Sequence, residues 1–169
     1  MKSEKVTHMA MLTVVALTLY WLESMIPLPI SIPGVKLGLS HIVTIFAVWI
    51  LGVKAGGAVL FLRILLSTIF SGSAVRMLYA FSGGILAFVV TAGLRQVLKE
   101  NQIWIIGCLS AIAHSLGQLI VGVWLLNTPS YLLYLPVLLP CSMIAGVFTG
   151  LCAQLLIKRG DHLWKTIFE

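Results

Sequence analysis

The sequence predicts an all-α integral membrane protein, a bundle of six transmembrane helices with both termini cytoplasmic. Three observations carry that expectation. Of 169 residues, 60% are hydrophobic and only 9% are charged, against about 25% charged in soluble domains. The apolar residues fall into six runs separated by turn residues. The basic residues between the runs lie mostly on one side. With the first residue inside, the inner side holds Lys2, Lys5, Lys54, Arg95, Lys99, Lys158, Arg159 and Lys165, and the outer side holds Lys36 and Arg76. Cytoplasmic loops carry such an excess of Lys and Arg. Five segments would put the ends on opposite sides and spoil the count.

The elements follow in order. Segment one runs from about His8 to Ile26 and stops at Pro27-Leu28-Pro29, since proline lacks a donor and cannot continue a helix. Its charged start, Lys2 and Lys5, resembles a signal peptide, but the run contains no small-residue cleavage pattern and reads as a retained helix. A loop reaches Lys36. Segment two, about Gly38 to Leu51, is short for a span and ends at Gly52-Val53-Lys54. Segment three spans about Gly56 to Phe70, and Ser71-Gly72-Ser73 turns the chain. Segment four spans about Val75 to Leu94. Segment five runs from about Ile103 to Leu126, closed by Asn127-Thr128-Pro129. Segment six covers about Leu132 to Ile157, followed by the polar tail Lys158-Arg159-Gly160-Asp161. At about 20 residues per span, this length leaves no separate soluble domain, so residues 1–169 read as a single membrane domain. In segment six, Gly146 and Gly150 at i, i+4 allow a neighbouring helix to approach closely, within the chain in preference to a dimer.

The net charge of +6 is no nucleic-acid signal, because no basic run is interleaved with aromatics on a polar face. Cys108, Cys141 and Cys152 each lie in an apolar run, with neither pairing nor metal-ligand spacing, and read as small buried hydrophobes. No metal site is expected.

Function is read from where polar groups fall inside the bilayer. Glu23, His41, Arg63, Ser67, Tyr79, His114 and Gln118 come from five of the six segments and lie at one level, in the outer half. Ionisable groups at that depth are costly and mark substrate paths. Lys36, Arg63 and Arg76 bring positive charge to this level, where Glu23 is the only acid. The starts of segments two and four point their positive dipole ends toward it. Such a pocket suits an anion, and Tyr20, Trp21, Phe81 and Trp124 are candidate walls for an apolar or flat body. Plainer readings stand beside each. Arg63 paired with Glu23 would only lock the bundle. Lys36 and Arg76 would face water or lipid headgroups, and His41 and His114 would be satisfied core histidines. The three aromatics Tyr20, Trp21 and Trp124 would form an interfacial belt.

Catalysis by the chain itself is disfavoured. Its acids are Asp161, Glu4, Glu23, Glu100 and Glu169, too scattered for a magnesium–diphosphate site, which needs several carboxylate oxygens. There is no Gly-rich Lys loop for ATP.

Four runs are distinctive: Gly34-Val35-Lys36-Leu37-Gly38-Leu39-Ser40-His41-Ile42-Val43-Thr44, Arg63-Ile64-Leu65-Leu66-Ser67, Tyr79-Ala80-Phe81-Ser82-Gly83-Gly84 and Ala113-His114-Ser115-Leu116-Gly117-Gln118. With Leu22-Glu23-Ser24-Met25-Ile26-Pro27 before them, they make residues 8–157 resemble the Gx transporter family, also called heptaprenyl diphosphate synthase component I. That family is similar to substrate-binding S components of energy-coupling factor (ECF) transporters. The resemblance implies a bacterial plasma-membrane protein with six helices and an outward-facing pocket. It implies a lid from Pro27 to Lys36. The partners would be a transmembrane coupling subunit and two ATPases, which use the ATP; no cofactor is implied in this chain. Ala10, Val14 and Ala16 would stand near the coupling-subunit contact, in an imperfect form of the Ala-x-x-x-Ala pattern of S components. The expected solute is small, anionic and partly apolar: a prenyl diphosphate or a dihydroxynaphthoate-like quinone precursor, with flavins and other vitamins open. The other reading is a non-catalytic membrane partner of prenyl diphosphate or quinone biosynthesis.

Overall fold

A computed structural model describes the backbone of residues 2–25 and 38–168, and the side chains of 3–25 and 38–160. Among these residues the chain forms six α-helices and two short 3-10 helices, with no strand. They are α1 (Lys2–Met25), α2 (Leu39–Ile50), α3 (Val53–Ser71), α4 (Ala74–Leu94), α5 (Ile103–Leu126) and α6 (Leu135–Phe168). Glu100–Gln102 leads into α5, and Pro129–Tyr134 leads into α6. Five helices are long and apolar enough to cross a membrane; α2 is not.

The predicted segments are found, with three corrections at their ends. The first helix starts at Lys2, because polar residues that need no bilayer still propagate a helix. The run before α6 is a 3-10 turn, begun by Pro129 at a first-turn position where its missing donor costs nothing. The expected polar tail is not a tail: α6 continues through Lys158, Arg159 and Gly160 to Phe168. Long basic residues are good helix formers, so polarity ended the apolar run without ending the helix.

The helices alternate in direction. Each of α1 and α3 packs against α2; α3 meets α4, α4 meets α5, and α5 meets α6. The short α2 also touches α4 and α6, which makes it the hub. At 12 residues it is about 18 Å long, against about 30 Å of hydrocarbon. Its C-terminal end is fixed beside the α3 turn, so its N-terminal end stops inside the bundle. An apolar cluster of Ile42, Ile45, Ile103, Ala153 and Ile157 fixes α2 against α5 and α6.

Small residues set the helix spacing. A Cβ on Gly150 would lie 2.7 Å from the Trp104 Cα, and one on Gly146 would lie 2.7 Å from the Gly107 carbonyl oxygen. The Gly146/Gly150 pair therefore serves packing within the chain, of α6 on α5. Likewise Gly117 of α5 rests on the Ser82–Gly83 backbone of α4.

Candidate functional site

The internal end of α2 is where the polar groups gather. Gly38 precedes α2 with φ 74° and ψ 26°, a left-handed conformation that glycine adopts without a Cβ penalty. Its N–H donates to Glu23 Oε1 at 2.6 Å. The sequence provides no Ser, Asp or Asn cap here, so a carboxylate from α1 caps the helix, favoured by the dipole. Glu23 is 6% exposed and Arg63 is 8% exposed. Arg63 donates through Nη1 to the Ser40 hydroxyl, and Glu23 and Tyr20 lie within electrostatic range of its guanidinium. His41 Nε2 pairs with Ser110 Oγ at 2.6 Å, and His114 and Arg63 lie within electrostatic range of its ring. Thus α1, α2, α3 and α5 each contribute to one cluster.

Above it, α5 carries a stripe at i, i+4 spacing. Ser110 faces His41, and the next turns bear His114, Gln118 and Gly122. Successive members are about 6 Å apart along the helix. The His114 ring lies against Gly83, where a Cβ would come within 2.9 Å of it. Gln118 is 8% exposed, and its Oε1 has no hydrogen-bond partner among the described residues. At Gly122 a Cβ would lie 2.6 Å from the Tyr131 ring and 3.3 Å from the Tyr79 hydroxyl. Tyr131 lies beside the Tyr79 hydroxyl over Gly122 and packs edge-on against Tyr134 with ring centroids 5.3 Å apart.

The structure thus brings together Glu23, His41, Arg63 and His114, with Gln118 and Tyr79 higher on the same side of α5. It places the other predicted residues differently. Arg76 is exposed at the start of α4, where its backbone N–H donates to the Ser73 hydroxyl at 3.4 Å. It shares the helical row of Ala80, Gly83, Ala87 and Thr91, so it stands over the N-terminal end of the face that α4 turns inward. Lys36 and the expected lid from Pro27 lie outside the described residues. Ser67 is buried but bonds the Ile64 carbonyl of its own helix, the usual local solution for a membrane hydroxyl. Trp21, Phe81 and Trp124, expected as walls for an apolar body, are instead 42%, 42% and 74% exposed on the outside of the bundle, so they do not line the cluster. On α1, Ala10 and Val14 are exposed, whereas Ala16 is fully buried. Ala16 shares the inward row of Thr13 and Glu23, and so faces away from any surface formed by the other two.

Ser40 stands with His41 at the start of α2, as expected, whereas Ser110 and Tyr131 are site neighbours that sequence reasoning did not single out. Ser110 was recoverable, because it lies four residues before His114 on the row that pointed to Gln118. Tyr131 gave no local signal, since its place depends on the 3-10 turn folding back over Gly122.

Cys108 is buried, Cys141 and Cys152 are half-buried, and all three are free. No group of three His, Cys, Asp or Glu residues able to hold a metal occurs among the described residues. A shallow groove of about 420 Å³ between Val89, Gly93, Leu109 and Ala113 is apolar and carries none of this chemistry.

No curated protein and no solved structure matches the chain. The family described as heptaprenyl diphosphate synthase component I matches residues 12–156, a stretch that begins within α1, ends within α6 and contains every described residue of the cluster. On that match, the chain belongs to the heptaprenyl diphosphate synthase component I family.

Proposed function

We propose that the chain is the substrate-binding membrane subunit of an importer of the ECF type and captures a small anionic, partly apolar solute. One observation carries the reading: a charged arginine, Arg63, is held 8% exposed at the internal end of a helix too short to span. Helices that break at mid-membrane elsewhere mark solute sites, because their N-terminal dipoles face the cavity. Arg63 and the start of α2 both favour an anion, and Arg76 over the outer end of the inward face adds attraction for its approach. His114 and Gln118 supply hydrogen bonds above them.

In this reading the chain performs no chemistry of its own and draws energy from partner ATPases through a coupling subunit. The exposed side of α1, with Ala10, Met11 and Val14, is the surface offered for docking. Both termini face the cytoplasm of a bacterial cell. The family description also names a synthase component, which supports a second reading, a non-catalytic membrane partner of prenyl diphosphate or quinone synthesis.

Co-expression of the tagged chain with an energy-coupling module from the same organism separates the two. Stoichiometric co-purification is expected. A well-folded chain that leaves the module behind and retains a soluble prenyl synthase would replace the importer reading with the second.

A further inference from the structure

The buried acceptor on α5 says something about the solute itself. A side-chain oxygen that has lost water and gained no partner is unfavourable, and native structures keep few of them. Two occur among the described residues, Thr44 Oγ1 and Gln118 Oε1. Thr44 is 1% exposed and lies one turn from Val48, on the row where a Cβ on Gly56 would strike the Val48 backbone at 2.9 Å. It belongs to a closed helix seam and has no room for a solute.

Gln118 is different. It lies one turn outward of His114 and one turn inward of Gly122, above the level at which α2 stops. The row from Ser110 through His114 to Gly122 is occupied at both ends, by His41 below and by Tyr79 and Tyr131 above. Among the described residues, the rung at Gln118 is the one on this row that presents a buried oxygen without a hydrogen-bond partner. Gly122 matters to this geometry, since any side chain there would displace the Tyr131 ring. The ring, beside the Tyr79 hydroxyl, covers the rung at Gly122, one helical turn above Gln118.

We infer that the solute is a planar anion bearing an O–H or N–H group, which donates to Gln118 Oε1 while its flat body lies against Tyr131. This rests on the solute-binding reading above and narrows it. A simple prenyl diphosphate, ionised at neutral pH and otherwise hydrocarbon, brings no donor and no plane. Binding it would leave Gln118 Oε1 desolvated and unpaired. Sites built around a buried hydrogen bond reject analogues lacking the group far more strongly than apolar pockets reject a missing methylene.

The test uses the full chain in nanodiscs and matched probes. 6-Hydroxy-2-naphthoate is compared with 2-naphthoate, flavin mononucleotide with its 3-methyl analogue, and farnesyl diphosphate stands alone. At least one donor-bearing probe is expected to bind on the order of tenfold or more tighter than its partner lacking the donor. Gln118→Met should erase that ratio, and Tyr131→Ala should weaken both members of the pair. The unliganded Gln118→Met chain should melt no lower than the parent, because it removes an unpaired oxygen; a lower melting temperature would assign Gln118 to the fold. Equal binding within both pairs, tighter binding of farnesyl diphosphate, or no binding of either donor probe would overturn the inference. None of these results touches co-purification with the coupling module, so the two readings fail separately.

Discussion

Two side chains decide how the centre of this protein is held. Arg63 and Glu23 are both almost fully buried, and a lone charge at such depth is expensive. Each has found polar partners: Glu23 takes the Gly38 N–H and Arg63 gives to Ser40. Removing one member leaves the other less compensated, which costs more than the bond itself is worth. Glu23→Ala is therefore expected to lower unfolding stability in micelles by about 1–3 kcal/mol, through the uncapped Gly38 N–H and the partner charge. The double variant Glu23→Ala, Arg63→Ala should lose less than the sum of the singles, because the groups share one electrostatic field. Additive losses would show that the two act independently. Arg63→Ala should also abolish solute uptake while folded protein in the membrane falls much less. A parallel fall in both would make Arg63 a structural residue alone.

Among the elements, α2 is the one whose position everything else serves. Its C-terminal end is tied by Arg95, which donates through Nη2 to the Trp49 carbonyl at 2.9 Å. In the charge count Arg95 is one more inner cation, yet its guanidinium satisfies an orphan carbonyl at a helix end. Arg95→Ala should cost about 1 kcal/mol by thermal melting, whereas Lys99→Ala, an exposed neighbour, should cost almost nothing. The α5–α6 contact has less tolerance. Gly107 stands against the Gly146 carbonyl and the Gly150 Cα, so Gly107→Val must push two backbones apart. A loss of about 1–3 kcal/mol or more is expected, read as poor recovery of monodisperse protein. Recovery equal to the parent would mean that the helices do not touch here. These elements show what the sequence makes legible. Apolar runs broken by Pro and Gly locate six helices, and i, i+4 spacing finds His114 and Gln118, because both signals are local. Arg95 on Trp49, His41 on Ser110 and Tyr131 over Gly122 join residues 46, 69 and nine positions apart. Such pairings follow from how helices are stacked and leave no mark in any one segment. The outward turn of Trp21 and Trp124 is likewise hidden, since a belt tryptophan and a pocket tryptophan have the same neighbours in sequence.

At the scale of the whole molecule, charge and architecture agree on how the bundle sits. Alternating helices bring the start of α1 and the end of α6 to one end, along with the α2–α3 turn and the α4–α5 connection. Lys5, Lys54, Arg95, Lys99, Lys158 and Arg159 all fall at that end, while Arg76 is at the other. Loop cations of this kind resist translocation, so that end should remain cytoplasmic. The internal end of α2, with Glu23 and Arg63, then lies toward the outer side, which is the side the proposed capture of a solute requires. The prediction is that reporters fused to either terminus read cytoplasmic, and that a single cysteine at position 76, in a chain freed of Cys108, Cys141 and Cys152, reacts with an impermeant maleimide added outside. Cysteine at position 54 should react only after the membrane is permeabilised. The opposite pattern would turn the polar cluster toward the cytoplasm, where capture from outside is impossible and a partner in biosynthesis becomes the better account.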